Sequence, residues 1–232
     1  MSAAPHSLMN RPLARDARAV GICTLPLDRV KADGMTLGGT VNDVLLAVID
    51  GALHAYLAHC GAPCASPLVA LCPMSLREEG DDAASAKVSA LHARLGEPQT
   101  DMRTRLAQVI DSSTRSKQEA REMSRSALMD FAVLMFGAYE LFERTGQQRM
   151  PASYNVLMSN VPGPNLNVTV LSHGNNIDFG VLADRLAMPD VERLAESIVQ
   201  RFAELERALP KPSASRGRTG RKAPRSKPAV RR

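Results

Sequence analysis

Two side chains at the start of the longest apolar stretch have types and spacing that could act on a ligand: Asn42 and Asp43, within Thr40-Val41-Asn42-Asp43. An amide and a carboxylate in the first turn of a helix sit among unpaired backbone N–H groups and at the positive end of the helix dipole. Asp43, three residues after Thr40, also fits a capping box, in which each side chain satisfies the other's amide. Asp43 therefore reads as a structural cap or as a positioning group, and Asn42 has the less obvious structural task. Four histidines stand in the region expected to fold: His54, His59, His92 and His173. On a helix His54 and His59 would point about 140° apart, and His92 shares a strand face with Arg94. Each reads as an ordinary surface or half-buried histidine. His59, Cys60 and Cys64 invite a metal, but structural zinc takes four well-spaced ligands and no second cluster follows, so no metal site is expected. There is no G-x-S-x-G nucleophile elbow, and Gly34 to Gly39 is too short for a dinucleotide fingerprint. Asp178-Phe179-Gly180 lies in a strand-like run with no H-R-D loop before it, which argues against a magnesium loop and for a structural role.

The elements that must position these residues follow from periodicity and punctuation. Residues 20–27 read as a strand and 28–32 as a short helix. Residues 40–60 make the clearest helix, with Val41, Val44, Leu45, Val48, Ala52, Leu53 and Tyr56 at helical spacing and Gly61 ending it. Residues 68–72 and 87–95 read as strands, 98–121 as a polar helix, and 124–143 as a more apolar one. Asp130 and Glu140 interrupt the last, which favours a core helix over a lipid-facing one. Strands are expected over 154–161, 166–172 and 177–183, with His173-Gly174-Asn175-Asn176 as a turn. Asp190 caps a final amphipathic helix that Pro210 stops. Strands and helices interleave, so the class is α/β with a mixed sheet flanked by helices.

With 44% apolar residues in a chain of 232, a sizeable core can form, and with 3% aromatics and no Trp it must rest on Leu, Val, Ala and Met. No uninterrupted apolar run approaches the roughly 18 residues of a transmembrane helix. The N-terminus lacks an apolar signal core, so the cytoplasm is the expected compartment, with Cys23, Cys60, Cys64 and Cys72 as reduced thiols. The formal net charge of +5 is misleading: residues 211–232 carry nine basic groups and no acid, which leaves about −4 for the rest. The expected organisation is a flexible leader over 1–19, a folded lobe over 20–210 and a disordered basic tail over 211–232. The tail could touch an anionic membrane surface, whereas nucleic acid is disfavoured because it has no aromatics for base stacking.

Thr40-Val41-Asn42-Asp43, Ser159-Asn160-Val161-Pro162-Gly163-Pro164 and residues 166–189 together resemble the C-terminal lobe of bacterial wax ester synthase/diacylglycerol acyltransferases. Leu25-Pro26-Leu27-x-x-Val30-Lys31 and Pro73-Met74-Ser75-Leu76-Arg77 fit as well, and the resemblance runs from about Leu8 to Leu209. It implies one lobe of the two-lobed architecture shared with chloramphenicol acetyltransferase and peptide-synthetase condensation domains. It also implies acyl-CoA as co-substrate, with no bound cofactor, and diacylglycerol or a fatty alcohol as acceptor. Asn42 and Asp43 match a motif important for activity. Ser159, Asn160, Pro162, Gly163 and Pro164 match a structural motif of the family, and Asp178, Phe179 and Gly180 match one that implies structural support of the channel.

The family's general base lies in an N-terminal H-H-x-x-x-D-G motif, and these 232 residues contain no two adjacent histidines. The expectation is half of an enzyme that needs a separately encoded N-terminal lobe, or else a catalytically silent remnant or lipid-binding module. The sequence departs from the family pattern at two further points. His173 stands where tyrosine is usual, and a longer segment with its own strand is missing between Pro164 and Asn165. Strands on either side of that gap must pair directly or leave a weak edge there.

Overall fold

The computed structural model describes residues 4–10, 17–75, 88–122, 154–158 and 166–210. After a short 3₁₀ turn at Leu8–Asn10 come β1 (Arg18–Pro26), α1 (Leu27–Thr36), α2 (Val41–His59), β2 (Val69–Ser75) and β3 (Val88–Arg94). They are followed by α3 (Met102–Glu122), β4 (Val156–Met158), β5 (Leu166–His173), β6 (Asn176–Asp184) and α4 (Val191–Ala208). The strands form one six-stranded sheet in the order β1-β6-β5-β4-β2-β3. β4 runs parallel to both its neighbours and every other pair is antiparallel, so the sheet is mixed, as expected. The expected apolar helix over 124–143, and the strand residues 159–161, lie outside the described residues.

Helix α2 is the core of the lobe. Every residue from Asp43 to Leu53 is buried, because α2 packs against α3 and α4 as well as lying among the sheet's apolar side chains. By length and composition Val41–His59 is apolar enough to cross a membrane, and 78% of its 18-residue apolar window is buried within the fold, the signature of a core helix. Helix α4 turns Val191, Leu194, Ala195, Ile198, Phe202 and Leu205 inward. Its first turn lies so close to β1 that a Cβ on Gly21 would stand 2.8 Å from the Val191 carbonyl oxygen. Asp190 sits at the N-cap as expected, but its side chain makes no capping bond.

The β5–β6 hairpin forms as the local turn residues dictate. His173 pairs with Asn176, and Gly174 takes φ 58°, the left-handed value that primed hairpin turns ask of their first central residue. The turn also completes α1, whose N-cap is Pro26 and offers no side-chain acceptor. The Asn175 carbonyl oxygen accepts from Leu27 N at 2.8 Å and its Oδ1 from Asp28 N at 3.2 Å.

One expectation is corrected and one alternative is settled. The stretch 1–19 is not uniformly a flexible leader: Leu8 and Met9 are buried, and Arg18 and Ala19 already belong to β1. Buried Asn155 holds this stretch, donating from Nδ2 to the Pro5 carbonyl at 2.7 Å and to Asn10 Oδ1 at 2.8 Å. Of the two outcomes expected at the missing segment, direct pairing is the one that forms, since β4 pairs with β5. Leu157 pairs with Leu71 on one side and Asn167 on the other, so β4 lies inside the sheet, and among the described residues β1 and β3 are its edges. Asn155 again explains the join, accepting from Val69 N through Oδ1 at 2.9 Å while its own N–H donates to the Val69 carbonyl at 2.8 Å.

Candidate substrate-positioning site

Just past the end of α1, Gly38 takes φ 74°, and Gly39 N donates to the Gly34 carbonyl at 2.8 Å. Gly39 is pressed onto α3, since a Cβ there would lie 2.6 Å from Ile110 Cδ1. Thr40 follows in extended conformation and the predicted capping box is present. Thr40 Oγ1 accepts from Asp43 N at 3.4 Å, while Asp43 Oδ2 accepts from Thr40 N at 2.8 Å and from Thr40 Oγ1 at 2.7 Å. The other carboxylate oxygen of Asp43 faces α3, accepting from Ser113 Oγ at 2.6 Å with Lys117 Nζ 3.9 Å away. Asp43 is 3% exposed and Ser113 is buried with it. The Asn42 side chain, one position earlier, is exposed and makes no hydrogen bond among the described residues. Geometry thus splits the pair: Asp43 is a buried tie, and Asn42 is exposed at the helix end.

Two turns along α2 lies a second polar cluster that the sequence reading did not single out. The Asp50 carboxylate is fully buried, pairs with the Arg105 guanidinium of α3 and accepts from Gly96 N at 2.9 Å. Arg105 Nη2 reaches the carbonyl oxygens of Glu97 at 3.0 Å and Pro98 at 3.1 Å. His54 Nε2 stands 3.4 Å from Asp50 Oδ1. Burial pushes the Asp50 carboxyl up to about 7 against the pull of Arg105 and the Gly96 N–H. Burial, with the Arg105 charge nearby, brings the His54 imidazole down to about 4. A cavity of about 250 Å³ opens beside the cluster, lined by His54, Met102 and Arg105 and, from α4, by Arg201 and Glu204. The sequence did carry a signal: an aspartate inside an apolar helical run is rarely buried without a cationic partner.

The remaining candidates take structural places. Asp178 Oδ1 accepts from Thr24 Oγ1 at 2.7 Å, Phe179 is 1% exposed in the core, and Gly180 pairs with Ile22 and Thr169. None of the three hydrogen bonds to Asn42 or Asp43 among the described residues. Ser159, Asn160, Pro162, Gly163 and Pro164 lie outside those residues. His59 Nδ1 is 3.2 Å from Arg193 Nη1, His92 is half-buried on β3 and His173 is exposed at the end of β5. Cys60 is exposed and Cys64 Sγ donates to the Ser66 carbonyl at 3.3 Å. No group of three or more His, Cys, Asp or Glu among the described residues could hold a metal ion.

A mixed sheet with helices packed on it, and a capped Asn-Asp turn opening its central helix, define one lobe of a chloramphenicol-acetyltransferase-like acyltransferase fold. Residues 85–167 and 165–206 match the WS/DGAT C-terminal domain, and residues 1–45 match the wax ester synthase/diacylglycerol acyltransferase catalytic domain. The chain belongs to the wax ester synthase/diacylglycerol acyltransferase family. It is 33% identical over 242 positions to a probable diacylglycerol O-acyltransferase of Mycobacterium tuberculosis, covering 93% of this chain and 51% of that protein. Against the O-acyltransferase WSD of Acinetobacter baylyi it is 27% identical, covering 90% of this chain and 50% of the relative. The solved wax ester synthase/diacylglycerol acyltransferase of Marinobacter aquaeolei VT8 superposes with a TM-score of 0.72 at 25% identity, over 88% of this chain and 52% of that one. A condensation domain from the enacyloxin polyketide synthase shares the fold, with a TM-score of 0.56 at 11% identity. The chain therefore spans about half the length of the relatives it matches. The match to the C-terminal domain comes in two parts that overlap at residues 165–167, and the Mycobacterium alignment is longer than the chain itself.

Proposed function

We propose that this lobe serves an O-acyltransferase that moves a fatty acyl group from acyl-CoA to diacylglycerol or a long-chain alcohol. The observation that carries the reading is the opening turn of α2. Asp43 is held by Thr40 and Ser113, which fixes the exposed Asn42 beside it at the helix end. In this reading Asn42 orients a substrate, and a histidine from outside these 232 residues, in the family's H-H-x-x-x-D-G motif, takes the acceptor hydroxyl's proton. The alcohol oxygen attacks the thioester carbonyl, the C–S bond breaks, and the CoA sulfur takes the proton back from the imidazolium. General-base assistance of this kind contributes about 10²–10⁴-fold. The place of action is the cytoplasm, with the basic tail over 211–232 drawn to an anionic membrane or lipid-droplet surface.

The test is reconstitution. The chain is co-expressed with a lobe carrying H-H-x-x-x-D-G, and transfer from labelled long-chain acyl-CoA is followed to diacylglycerol and to hexadecanol. Turnover is expected only from the pair, with Asn42→Ala reducing it while leaving folding intact. Turnover by the chain alone, abolished by replacing one of its own histidines, would overturn the reading. A pair that folds together and remains inactive would favour a silent remnant or lipid-binding module.

A further inference from the structure

Helices α2 and α3 run antiparallel and are tied by polar groups at two levels. Near the start of α2 the tie is Asp43 to Ser113, and two turns deeper it is Asp50 to Arg105. The spacings match: seven residues on α2 rise about 10.5 Å and eight on α3 about 12 Å. Between the ties the seam is apolar, with Leu106 and Val109 buried and Ile110 against Gly39. Such a seam tolerates slippage, and one-turn ratchets of about 5.4 Å are a known way for packed helices to move. A buried carboxylate–guanidinium pair does not tolerate it, because a slip strands two charges away from water.

We propose that Asp50 and Arg105 are positioning residues: their pair sets the register of α3 on α2, and so places Ser113 and Lys117 against Asp43 at the end of α2 that presents Asn42. The pair also fixes the loop that delivers α3. Asp50 accepts from Gly96 N, Arg105 grips the carbonyls of Glu97 and Pro98, and a larger residue at Gly96 would displace Arg105, since a Cβ there would lie 2.8 Å from Arg105 Cγ. The charged groups facing the pair are His54 on α2, Asp101 at the start of α3, and Arg201 with Glu204 on α4. Arg201 and Glu204 bond each other at 2.6 Å, so Asp50 remains the partner of Arg105. What the Asn42 end is used for rests on the acyltransferase reading, whereas the register does not.

The experiment replaces the pair in the full chain with Asp50→Leu and Arg105→Met together, which removes both charges and keeps the volume. The expected result is a folded protein whose urea midpoint is kept or raised, while the amides of Thr40, Asp43 and Val44 exchange at least tenfold faster. A folded double variant with unchanged protection there would overturn the proposal. Should that variant not fold, Asp50→Asn and Ser113→Ala are combined instead. Their effects on the unfolding constant should depart at least threefold from the product of the single effects, and a simple product would overturn the proposal. Both measurements need no substrate, so failed acyl transfer in the reconstituted pair would sink the acyltransferase reading and leave this one standing.

Discussion

The two polar ties of α2 use the same side chain in opposite ways. Asp43 takes most of its bonds from its own turn, from Thr40 N and Thr40 Oγ1, and adds one from Ser113. Asp50 takes all of its bonds from distant segments, Gly96 and Arg105, deep inside the fold. The first carboxylate stabilises a helix end that is formed locally. The second is tolerable only once α3 and the loop before it have docked. Polar groups near one helix end can thus be secured by sequence neighbours, whereas those in its middle depend on tertiary structure.

The largest effect expected from this contrast is at Arg105. Arg105→Ala leaves Asp50 buried without its cation and should cost about 3–5 kcal/mol, read from urea unfolding. A loss below 1 kcal/mol would mean that the pair is weak. Asp43→Ala removes a cap and should cost about 0.5–2 kcal/mol. Asn42→Ala, at an exposed site, should stay within about 0.5 kcal/mol while lowering turnover of the reconstituted enzyme. Equal stability losses at both positions with turnover intact would reduce the Asn-Asp pair to helix capping.

A pH series sharpens the comparison further. Burial raises Asp50 from an ordinary 3.8 to about 7, so its contribution is full below the lower value and is lost as pH rises through 7. His54 is lowered from 6.5 to about 4, so its contribution is full above 6.5 and is lost as pH falls through 4. The two slopes oppose each other in one window. Relative to the unaltered chain, Asp50→Asn should tilt the stability profile toward loss in acid, and His54→Gln toward loss at neutral pH. Parallel profiles for all three proteins would show that neither group titrates differently on folding. The smallest effect concerns β4, a three-residue strand inside the sheet. Its amides should exchange faster than those of β6, and equal protection would mean that the short strand is as firmly held as its long neighbour.

What the sequence disclosed follows the same division. The capping box at Thr40 and Asp43, the Gly174 turn and the apolar stripe of α4 are local patterns, and each formed as read. The family resemblance carried the fold class and the Asn42–Asp43 motif. What escaped depends on partners far away in the chain. Arg105 looked like one charge on a polar helix, and nothing adjacent revealed that it meets Asp50, 55 positions earlier. Residues 4–10 looked mobile because Asn155, which holds them, lies some 150 positions downstream. The interior place of β4 depended on the same asparagine.

The turn that completes α1 carries a consequence for how the chain is made. Leu27 N waits for the carbonyl of Asn175, and β1 waits for β6 across a similar separation. At roughly 5–20 residues per second, synthesis reaches those partners on the order of ten seconds after β1 and α1 have been made. Until then the first strand is an unpaired edge bearing Val20 and Ile22, side chains that remain exposed even in the finished fold. Nascent copies are therefore most adhesive at β1 until the C-terminal hairpin emerges, and pairing with β6 then covers one of that strand's two edges.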